Sequence, residues 1–390
     1  MNIVLLATSY PTQTGGIGAY VERLAEGLTS KGHEVEVAVR AESGLRRSRR
    51  TNDELSFRVW WDATPRDLLR LIRGSDVTHM NGFWLLPATL AITTRKPLLW
   101  THHEYDTTCP IGIGWYRDQS TSFAARRCIT CMAARGMATK IPRRFGLLPV
   151  RRAVAQLARV NLVPSAYMAA RLALPRTLVV QHGTEETKSA QPPASRRPIF
   201  LFLGRLVHEK GCDVLLEAAH LCRNAGVEVL VEICGDGPER PALENEVRAR
   251  RLESIVSFSG SIEKADVPKK FAQARAVVVP SRWDEVAGIV ALESMAAGVP
   301  VIASRVGGLA EMVHGGGLLV ERESPGALAS AMITLARDSS QASALGRQAH
   351  SRHRRQFNLE RMIRDHERVY DQVRRQGVTQ QLANAYQGSL

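Results

Sequence analysis

The stretch of residues 276–300 constrains the fold of this chain more than any other. It places two carboxylates, Glu285 and Glu293, eight positions apart, with a glycine between them and apolar residues around the second. Short apolar runs at 276–279 and 301–303 are typical of buried parallel strands. Since doubly wound sheets bind ligands at the carboxyl ends of their strands, this pattern predicts that Glu285 lies at a ligand-binding edge.

Two series of alternating strand and helix patterns predict two α/β domains, which suits a chain of 390 residues. The first series opens with a strand at 3–7, a glycine-rich turn and a helix with an apolar stripe, and the second opens with a strand at 199–203. A polar, proline-containing stretch at 185–198 is typical of a linker. The predicted domains are therefore residues 1–187 and 188–370.

The charge of the chain is strongly uneven. Its formal net charge is +14, and no Asp or Glu occurs between Asp118 and Glu185, where arginines are frequent. Such a region suits nucleic acid, an anionic membrane surface, or a basic face that is merely solvated. Aromatic residues do not alternate with these arginines, which argues against nucleic acid. The membrane and the solvated face both stay open.

The sequence also sets an expectation for location. Residues 1–7 are apolar but lack a basic leader, so they resemble a buried first strand more than an export signal. No stretch is typical of a membrane-spanning helix. We therefore expect a cytoplasmic protein whose six cysteines are reduced thiols.

Two cations stand at the start of the second domain. Arg205 and Lys210 follow the strand at 199–203 and a glycine, and they directly precede a predicted helix. Fixed cations and helix N-termini stabilise negative charge, including the charge that grows on a departing diphosphate. On its own a surface Arg or Lys near a turn is usually only solvated, so the interpretation depends on the two carboxylates downstream.

Taken together, residues 202–211 and 280–300 resemble the donor-binding signature of retaining glycosyltransferases of family 4. The motifs at 233–240, 256–262 and 304–311 occur in the order found in that family. The resemblance implies a GT-B fold, in which two Rossmann-like doubly wound domains face each other across a cleft. It also implies a C-terminal helix, residues 371–390, that crosses back to the first domain. The implied reaction is sugar transfer from a UDP- or GDP-sugar with retention of anomeric configuration and no required cofactor or metal.

The resemblance also implies a role for individual residues. His103 and Glu285 match the reaction centre, with His102 as the alternative if the alignment shifts by one position. The remaining implied contacts are to the donor pyrophosphate (Gly16, Arg205, Lys210), to the donor sugar (Gly288, Ile289) and to the nucleoside (Ile262, Glu293). Carboxylates suit sugar and ribose because each can accept two hydroxyl hydrogen bonds.

Three cysteines raise the question of a structural metal. Cys109 precedes a C-x-x-C pair formed by Cys128 and Cys131, and a thiolate trio with one more ligand can hold zinc. A second C-x-x-C is missing from the sequence, which weakens this hypothesis. The alternative is a loop variant, since some members of the resembled family carry a similar segment.

The acceptor is left open by the sequence. A saccharide, a lipid-linked saccharide and a small natural product all stay possible, and the basic first domain favours an anionic or membrane-linked acceptor only slightly. Two other functions also stay open. One is a GT-B sugar-nucleotide epimerase or phosphorylase, and the other is a non-catalytic adaptor that binds a membrane or nucleic acid.

Overall fold

A computed structural model describes residues 1–10, 16–40, 55–61, 63–113, 115–116, 119–120, 125–186 and 198–376. The chain forms two compact units. Unit 1 contains Met1–His182 together with the chain from Glu360 onward, and unit 2 contains Gly183–Leu359. Each unit is built around a parallel sheet flanked by helices, so the predicted α/β fold class is confirmed.

The units divide after residues 182 and 359, whereas the sequence predicts boundaries after 187 and 370. Hydrogen bonds explain the difference. Thr184 N donates to Phe357 O at 2.9 Å, and Leu359 N donates to Thr184 O at 3.0 Å, so both connecting segments pair within unit 2. Most of the predicted linker, residues 187–197, lies outside the described residues.

Unit 1 contains a seven-stranded sheet with the order β3-β2-β1-β4-β5-β8-β9, in which each neighbouring pair is parallel. Its central strands are buried along their length because helices cover both faces of such a sheet. A separate two-stranded pair, β6 and β7, is antiparallel. The strands are β1 (Asn2–Ala7), β2 (Glu34–Val39), β3 (Arg58–Trp61), β4 (Val77–Asn81), β5 (Leu98–Thr101), β6 (Trp115–Tyr116), β7 (Gln119–Ser120), β8 (Val160–Val163) and β9 (Thr177–Val179).

The helices of unit 1 follow from apolar periodicity and from caps. The predicted stripe of the first helix is buried, with Val21, Leu24 and Leu28 fully covered. The second helix begins with a capping box in which Thr64 and Asp67 exchange hydrogen bonds. The helices are α1 (Gly16–Ser30), α2 (Pro65–Gly74), α3 (Leu85–Thr93), α4 (Ala125–Ala134), α5 (Ile141–Leu157) and α6 (Ala166–Leu172).

Unit 2 contains a six-stranded sheet with the order β12-β11-β10-β13-β14-β15, again parallel throughout. The chain reverses its direction of winding between β10 and β13, which are neighbours in space. In a doubly wound sheet this switch point is where ligands bind. The strands are β10 (Ile199–Leu203), β11 (Leu230–Cys234), β12 (Val256–Gly260), β13 (Ala276–Val279), β14 (Val301–Ser304) and β15 (Gly317–Val320).

The helices that cover this sheet bury long apolar faces. Leu292 and Met295 of α10 are fully covered, as the apolar stretch around Glu293 predicts. The helices of unit 2 are α7 (Cys212–Asn224), α8 (Arg240–Ala249), α9 (Val267–Gln273), α10 (Ile289–Ala296), α11 (Gly307–Val313), α12 (Pro325–Arg337) and α13 (Ser339–Gln356).

The last described helix, α14 (Leu359–Gln376), belongs to unit 1 from Glu360 onward. It packs on α1 and β4, where Ile363 fills the space beside Gly27 and the hydroxyl of Tyr370 lies 2.6 Å from Nδ1 of His79. Residues 377–390 of the predicted C-terminal helix lie outside the described residues. Within the described part of the chain, no helix combines the length and the apolar character needed to cross a membrane.

Candidate functional site

The loop at 280–288, called here the signature loop, carries the clearest site in unit 2. It leaves the carboxyl end of β13 and leads into α10. Lys210 stands in the turn that follows the neighbouring strand β10, and its Nζ donates to Oε1 of Glu285 at 2.6 Å. Two residues that the sequence predicts as donor ligands therefore contact each other at the switch point of the sheet.

A glycine allows this close approach. Gly211 directly follows Lys210 and has φ +66°, and a Cβ there would lie 2.1 Å from the carbonyl oxygen of Pro280. A side chain at this position would be strained and would also collide with the start of the signature loop. The backbone of the loop is bonded to the same turn, since Arg282 N donates to Glu209 O at 2.9 Å.

The carboxylate of Glu285 is nearly enclosed, with 4% of the residue exposed. Its Oε1 also accepts a hydrogen bond from Oγ of Ser281 at 2.7 Å. The ammonium of Lys210 also lies 5.3 Å from the ring centre of Trp283, which is a stabilising cation–π contact. A buried carboxylate needs such partners, because an unpaired charge there is costly.

Arg282 of the signature loop forms two ion pairs with residues outside the loop. The guanidinium of Arg282 donates to both carboxylate oxygens of Asp213 at 2.6 Å, and its Nε donates to Glu323 at 2.7 Å. Burial opposes the charge on Arg282, yet these hydrogen bonds raise its pKa overall. Burial likewise opposes the charge on Asp213, and Arg282 brings the pKa of that carboxyl below its usual value.

A third ion pair joins Asp284, 1% exposed, to Nη2 of Arg322 at 2.6 Å. The sequence does not predict these three pairs, because the partners lie on distant elements. The signal it offers is the charge within the loop itself: Arg282 and Asp284 follow an apolar strand end, where charged side chains need partners.

The remaining predicted ligands of unit 2 lie at or after the ends of strands β10, β12 and β13. Arg205 is exposed after β10, and Gly288 and Ile289 begin α10. Glu293 is half-buried on the same helix. Ile262 follows β12 and packs, half-buried, against the apolar cluster that contains Leu201 and Phe271.

In unit 1 the two adjacent histidines have different environments. His102 is 1% exposed, stacks on Trp100 at 4.3 Å between ring centres and has Nε2 2.9 Å from Oδ1 of Asn161. His103 is partly exposed, and its Nε2 lies 3.2 Å from Oδ1 of Asn81. Since His102 is committed to the core, the geometry favours His103 as the residue that can meet a ligand.

His103 contacts a buried cluster of histidines and tyrosines, and the sequence does not predict this cluster. Its ring lies 4.7 Å from that of Tyr20, and the hydroxyl of Tyr20 is 2.7 Å from Nε2 of His366. Burial, and then the neighbouring His182, hold the pKa of His103 well below its usual range. Burial also lowers the pKa of His182 to about 3 and that of His366 to about 4. These rings are therefore neutral at physiological pH.

Other predicted positions of unit 1 are simpler. Gly16 is exposed at the first position of α1, and its neighbour Gly15 lies outside the described residues. Cys109, Cys128 and Cys131 are buried cysteines that form no disulfide. Burial, together with the other two cysteines, raises the pKa of the Cys128 thiol to about 11. Among the described residues no three potential ligand side chains are placed to hold a metal ion, so the zinc hypothesis gains no support from the geometry.

A small cavity opens at the carboxyl edge of the sheet in unit 1. Its volume is about 170 Å³, and its lining includes Phe83, His103, Glu104, Asp106, Arg144 and Arg151. The first four follow strands β4 and β5, and the two arginines belong to α5. The cavity thus brings a neutral imidazole, two carboxylates and two guanidinium groups together.

Comparison with known sequences gives two family matches. The model described as "Glycosyltransferase Family 4" matches residues 14–185, and the model described as "Glycosyl transferases group 1" matches residues 183–352. A glycogen synthase from Mycobacterium tuberculosis is 27% identical over 341 residues, which is 81% of this chain and 81% of that protein. Several other curated relatives match over less than a third of their own length.

Comparison with solved structures agrees on the fold. The sucrose-phosphate synthase from Thermosynechococcus elongatus superposes with a TM-score of 0.73 at 23% identity, over 96% of this chain and 99% of the other. Anabaena HepE in complex with UDP gives a TM-score of 0.71 at 17% identity, over 95% and 100%. The two Rossmann-like units predicted from sequence are those of GT-B glycosyltransferases.

Proposed function

The chain belongs to glycosyltransferase family 4 and is a transferase enzyme, and we propose that its donor is a nucleotide-diphosphate sugar. The proposed transfer retains the anomeric configuration and needs no divalent metal. The observation that carries this proposal is the Lys210–Glu285 pair at the switch point of unit 2. In this pair, a cation that can bind phosphate is hydrogen-bonded directly to a carboxylate that can bind sugar hydroxyls.

In the proposed mechanism, Arg205 and Lys210 bind the pyrophosphate of the donor. Their charge stabilises the negative charge that grows as the bond between the anomeric carbon and the phosphate oxygen breaks. Glu285 binds hydroxyls of the donor sugar, aided by the backbone amides of Gly288 and Ile289. The acceptor oxygen attacks on the same face from which the phosphate departs, and the departing phosphate takes the acceptor proton. Because attack and departure occur on the same face, the anomeric configuration is retained without a protein nucleophile.

Two further residues of unit 2 are proposed to recognise the nucleoside. Glu293 would accept hydrogen bonds from the ribose hydroxyls, and Ile262 would contact the base. We propose a UDP- or GDP-sugar, and the UDP complex of HepE favours UDP of the two. In unit 1, His103 would contact the reacting sugar and Gly16 would approach the donor phosphate through its backbone.

The acceptor is proposed to be a hydroxyl of a saccharide, a lipid-linked saccharide or a small natural product. We also propose peripheral contact between unit 1 and the anionic inner face of the cytoplasmic membrane. Exposed basic side chains on α4 and the turn after it, Arg126, Arg127 and Lys140, support this contact, as does Ile129, which is 44% exposed. Sedimentation with anionic but not zwitterionic vesicles would test it.

Donor binding is the first test. Ligand-observed NMR with UDP-, GDP-, ADP- and dTDP-sugars in the presence of EDTA should detect one nucleotide sugar. Binding should be lost in Lys210→Ala and kept in Lys264→Ala, a control at an exposed lysine of the same unit. Absence of binding across the panel would contradict the transferase mechanism and favour a non-catalytic adaptor. Activity that disappears with EDTA and returns with Mg²⁺ would contradict the metal-free reaction.

Product analysis distinguishes a transferase from an epimerase and from a phosphorylase. A GT-B epimerase would interconvert nucleotide sugars without an acceptor, and a phosphorylase would consume free phosphate. The transferase should release the nucleoside diphosphate in step with a new glycoside. The α-anomeric NMR signal should appear in the first product formed from an α-linked donor, since later equilibration could mask the stereochemistry.

A further inference from the structure

We propose that the cavity beside α5 in unit 1 binds the acceptor, and that the acceptor is a small polyol carrying a phosphate monoester. This proposal rests on the glycosyltransferase function proposed above and adds the chemical class of its second substrate. It follows from two arginines, two carboxylates and His103 that line the cavity, and from the size of the cavity.

The two arginines line the same cavity because of their spacing on α5. Arg144 and Arg151 are seven positions apart on α5, so they lie on one face of the helix two turns apart. Each is held by one hydrogen bond to the loop that follows β5: Nη1 of Arg144 donates to Pro110 O at 3.3 Å, and Nη1 of Arg151 donates to Asp106 O at 3.2 Å. A guanidinium has five N–H donors, so these bonds orient both groups and leave most donors for a ligand.

The guanidinium of Arg151 has a second contact beside its hydrogen bond. It stacks over Phe83, with Cζ 5.4 Å from the ring centre, which holds it in place. Its Nε is buried, so a ligand in the cavity would use the N–H groups of the two terminal nitrogens.

The carboxylates of the lining lie on the loop side. Oδ1 of Asp106 is 3.8 Å from Nδ1 of His102, and Oε2 of Glu104 lies against the backbone of Gly112. The helix that carries both cavity arginines, α5, contains four arginines and no Asp or Glu. The cavity therefore offers guanidinium groups from α5 that suit phosphate oxygens, and carboxylates and His103 from the loop after β5 that suit hydroxyl groups.

The volume of the cavity suits a small molecule. At about 170 Å³ the cavity is smaller than the sites of drug-sized ligands, which span about 300–1,000 Å³. A single hexose or cyclitol ring with one phosphate is of suitable size. Phosphate is favoured over carboxylate because a dianion with three free oxygens can accept from both guanidinium forks at once.

The experiment measures acceptor binding without the donor. Saturation-transfer NMR on the full chain would compare hexose and inositol monophosphates with their unphosphorylated parents and with methyl phosphodiesters. Arg144→Gln/Arg151→Gln removes both cations of the cavity. Arg143→Gln/Arg152→Gln is the matched control, because these are neighbouring arginines on the same helix that do not line the cavity and the change in net charge is equal.

The expected result is that at least one monophosphate binds at least tenfold more tightly than its parent. The preference should disappear in Arg144→Gln/Arg151→Gln and persist in the control. Equal binding of phosphorylated and parent polyols, or equal loss in both double variants, would overturn the proposal. Diesters that bind as tightly as monoesters would also overturn it and indicate a lipid-linked acceptor. Binding of the nucleotide sugar is measured on the same samples, so failure of the donor site is distinguished from failure of this cavity.

Discussion

The ammonium nitrogen of Lys210 lies 2.6 Å from Oε1 of Glu285, a residue 75 positions further along the chain. The two residues follow β10 and β13, which are neighbours in the sheet of unit 2. Because the carboxyl ends of parallel strands meet at one edge, the fold itself brings this cation and this carboxylate together. Their pairing in the absence of a donor keeps both charges compensated until a ligand arrives.

We expect Lys210→Ala and Glu285→Ala each to lower the rate of sugar transfer at least tenfold, a loss of about 1.4 kcal/mol of transition-state stabilisation. The first removes charge next to the departing phosphate, and the second removes an acceptor for sugar hydroxyls. Initial rates of nucleotide release in the presence of acceptor measure the effect, with Lys264→Ala as the control at an exposed position. Full activity in both variants would refute the assignment of the donor site.

Arg282 should matter more for stability than other paired arginines of unit 2. Its guanidinium is buried and bonded to Asp213 and Glu323, so Arg282→Ala leaves two carboxylates without their partner. We expect the free energy of unfolding to fall by about 2–3 kcal/mol. Arg305→Ala removes a pair that is exposed on both sides and should cost at most about 1 kcal/mol. Urea titrations of both variants measure the free energy of unfolding. Equal losses in the two variants would contradict the larger role of Arg282.

Gly307 packs closely against the backbone of the signature loop at Glu285. It has φ +50°, and a Cβ there would lie 2.4 Å from the carbonyl oxygen of Glu285. The next amide, Gly308 N, donates to that same oxygen at 2.7 Å. Gly307→Ala should therefore displace Glu285, weaken donor binding and lower the melting temperature.

The matched control for this change is Gly326→Ala. That glycine lies in the first turn of α12 and has open space where a Cβ would be, so alanine there should be neutral or should stabilise by up to about 1 kcal/mol. Donor titrations and thermal melts of the two variants measure the difference. Equal donor affinity in Gly307→Ala and the unmodified protein would show that the loop does not need this glycine.

The sequence predicts the parts of this fold that depend on local patterns. Strand β10 has the predicted bounds, and β13 begins where the apolar run begins, because buried parallel strands are continuous apolar runs. The sequence also predicts Lys210 and Glu285 as donor ligands, but their direct contact depends on β10 and β13 being neighbours, which the structure shows. Edge strand β3 is not indicated by the sequence, since Arg-Val-Trp-Trp has no clear alternation.

Side-chain contacts between distant elements cannot be predicted from local sequence patterns. Tyr20 and His366 are 346 positions apart, and no periodicity in α1 or α14 indicates that they share a hydrogen bond. The same holds for Asp284 and Arg322, whose pairing depends on where the loop after β15 passes the signature loop. Spacing predicts which residues share an element, but side-chain pairing across elements depends on the packed tertiary structure.

The buried histidines of unit 1 should make this unit sensitive to acid. Nδ1 of His366 donates to Met362 O at 2.7 Å, so the neutral ring accepts at Nε2 from the hydroxyl of Tyr20. Burial lowers the pKa of His366 to about 4 and that of His182 to about 3, whereas an unfolded histidine titrates near about 6.5. Between about pH 6.5 and pH 4 the unfolded chain therefore binds protons that the folded unit does not.

This difference in proton binding makes the free energy of unfolding depend on pH. The contribution of each such histidine is fully present above its unfolded pKa and falls by roughly 1.4 kcal/mol per pH unit as the pH drops below it. Between pH 7 and pH 5 each should cost roughly 2 kcal/mol, measured by urea unfolding at the two values. In His366→Gln the loss should be smaller by that amount, while His314→Gln, at an exposed position, should leave it unchanged. Equal pH dependence in all three proteins would mean that His366 takes up its proton in the folded state, with Tyr20 no longer donating to it.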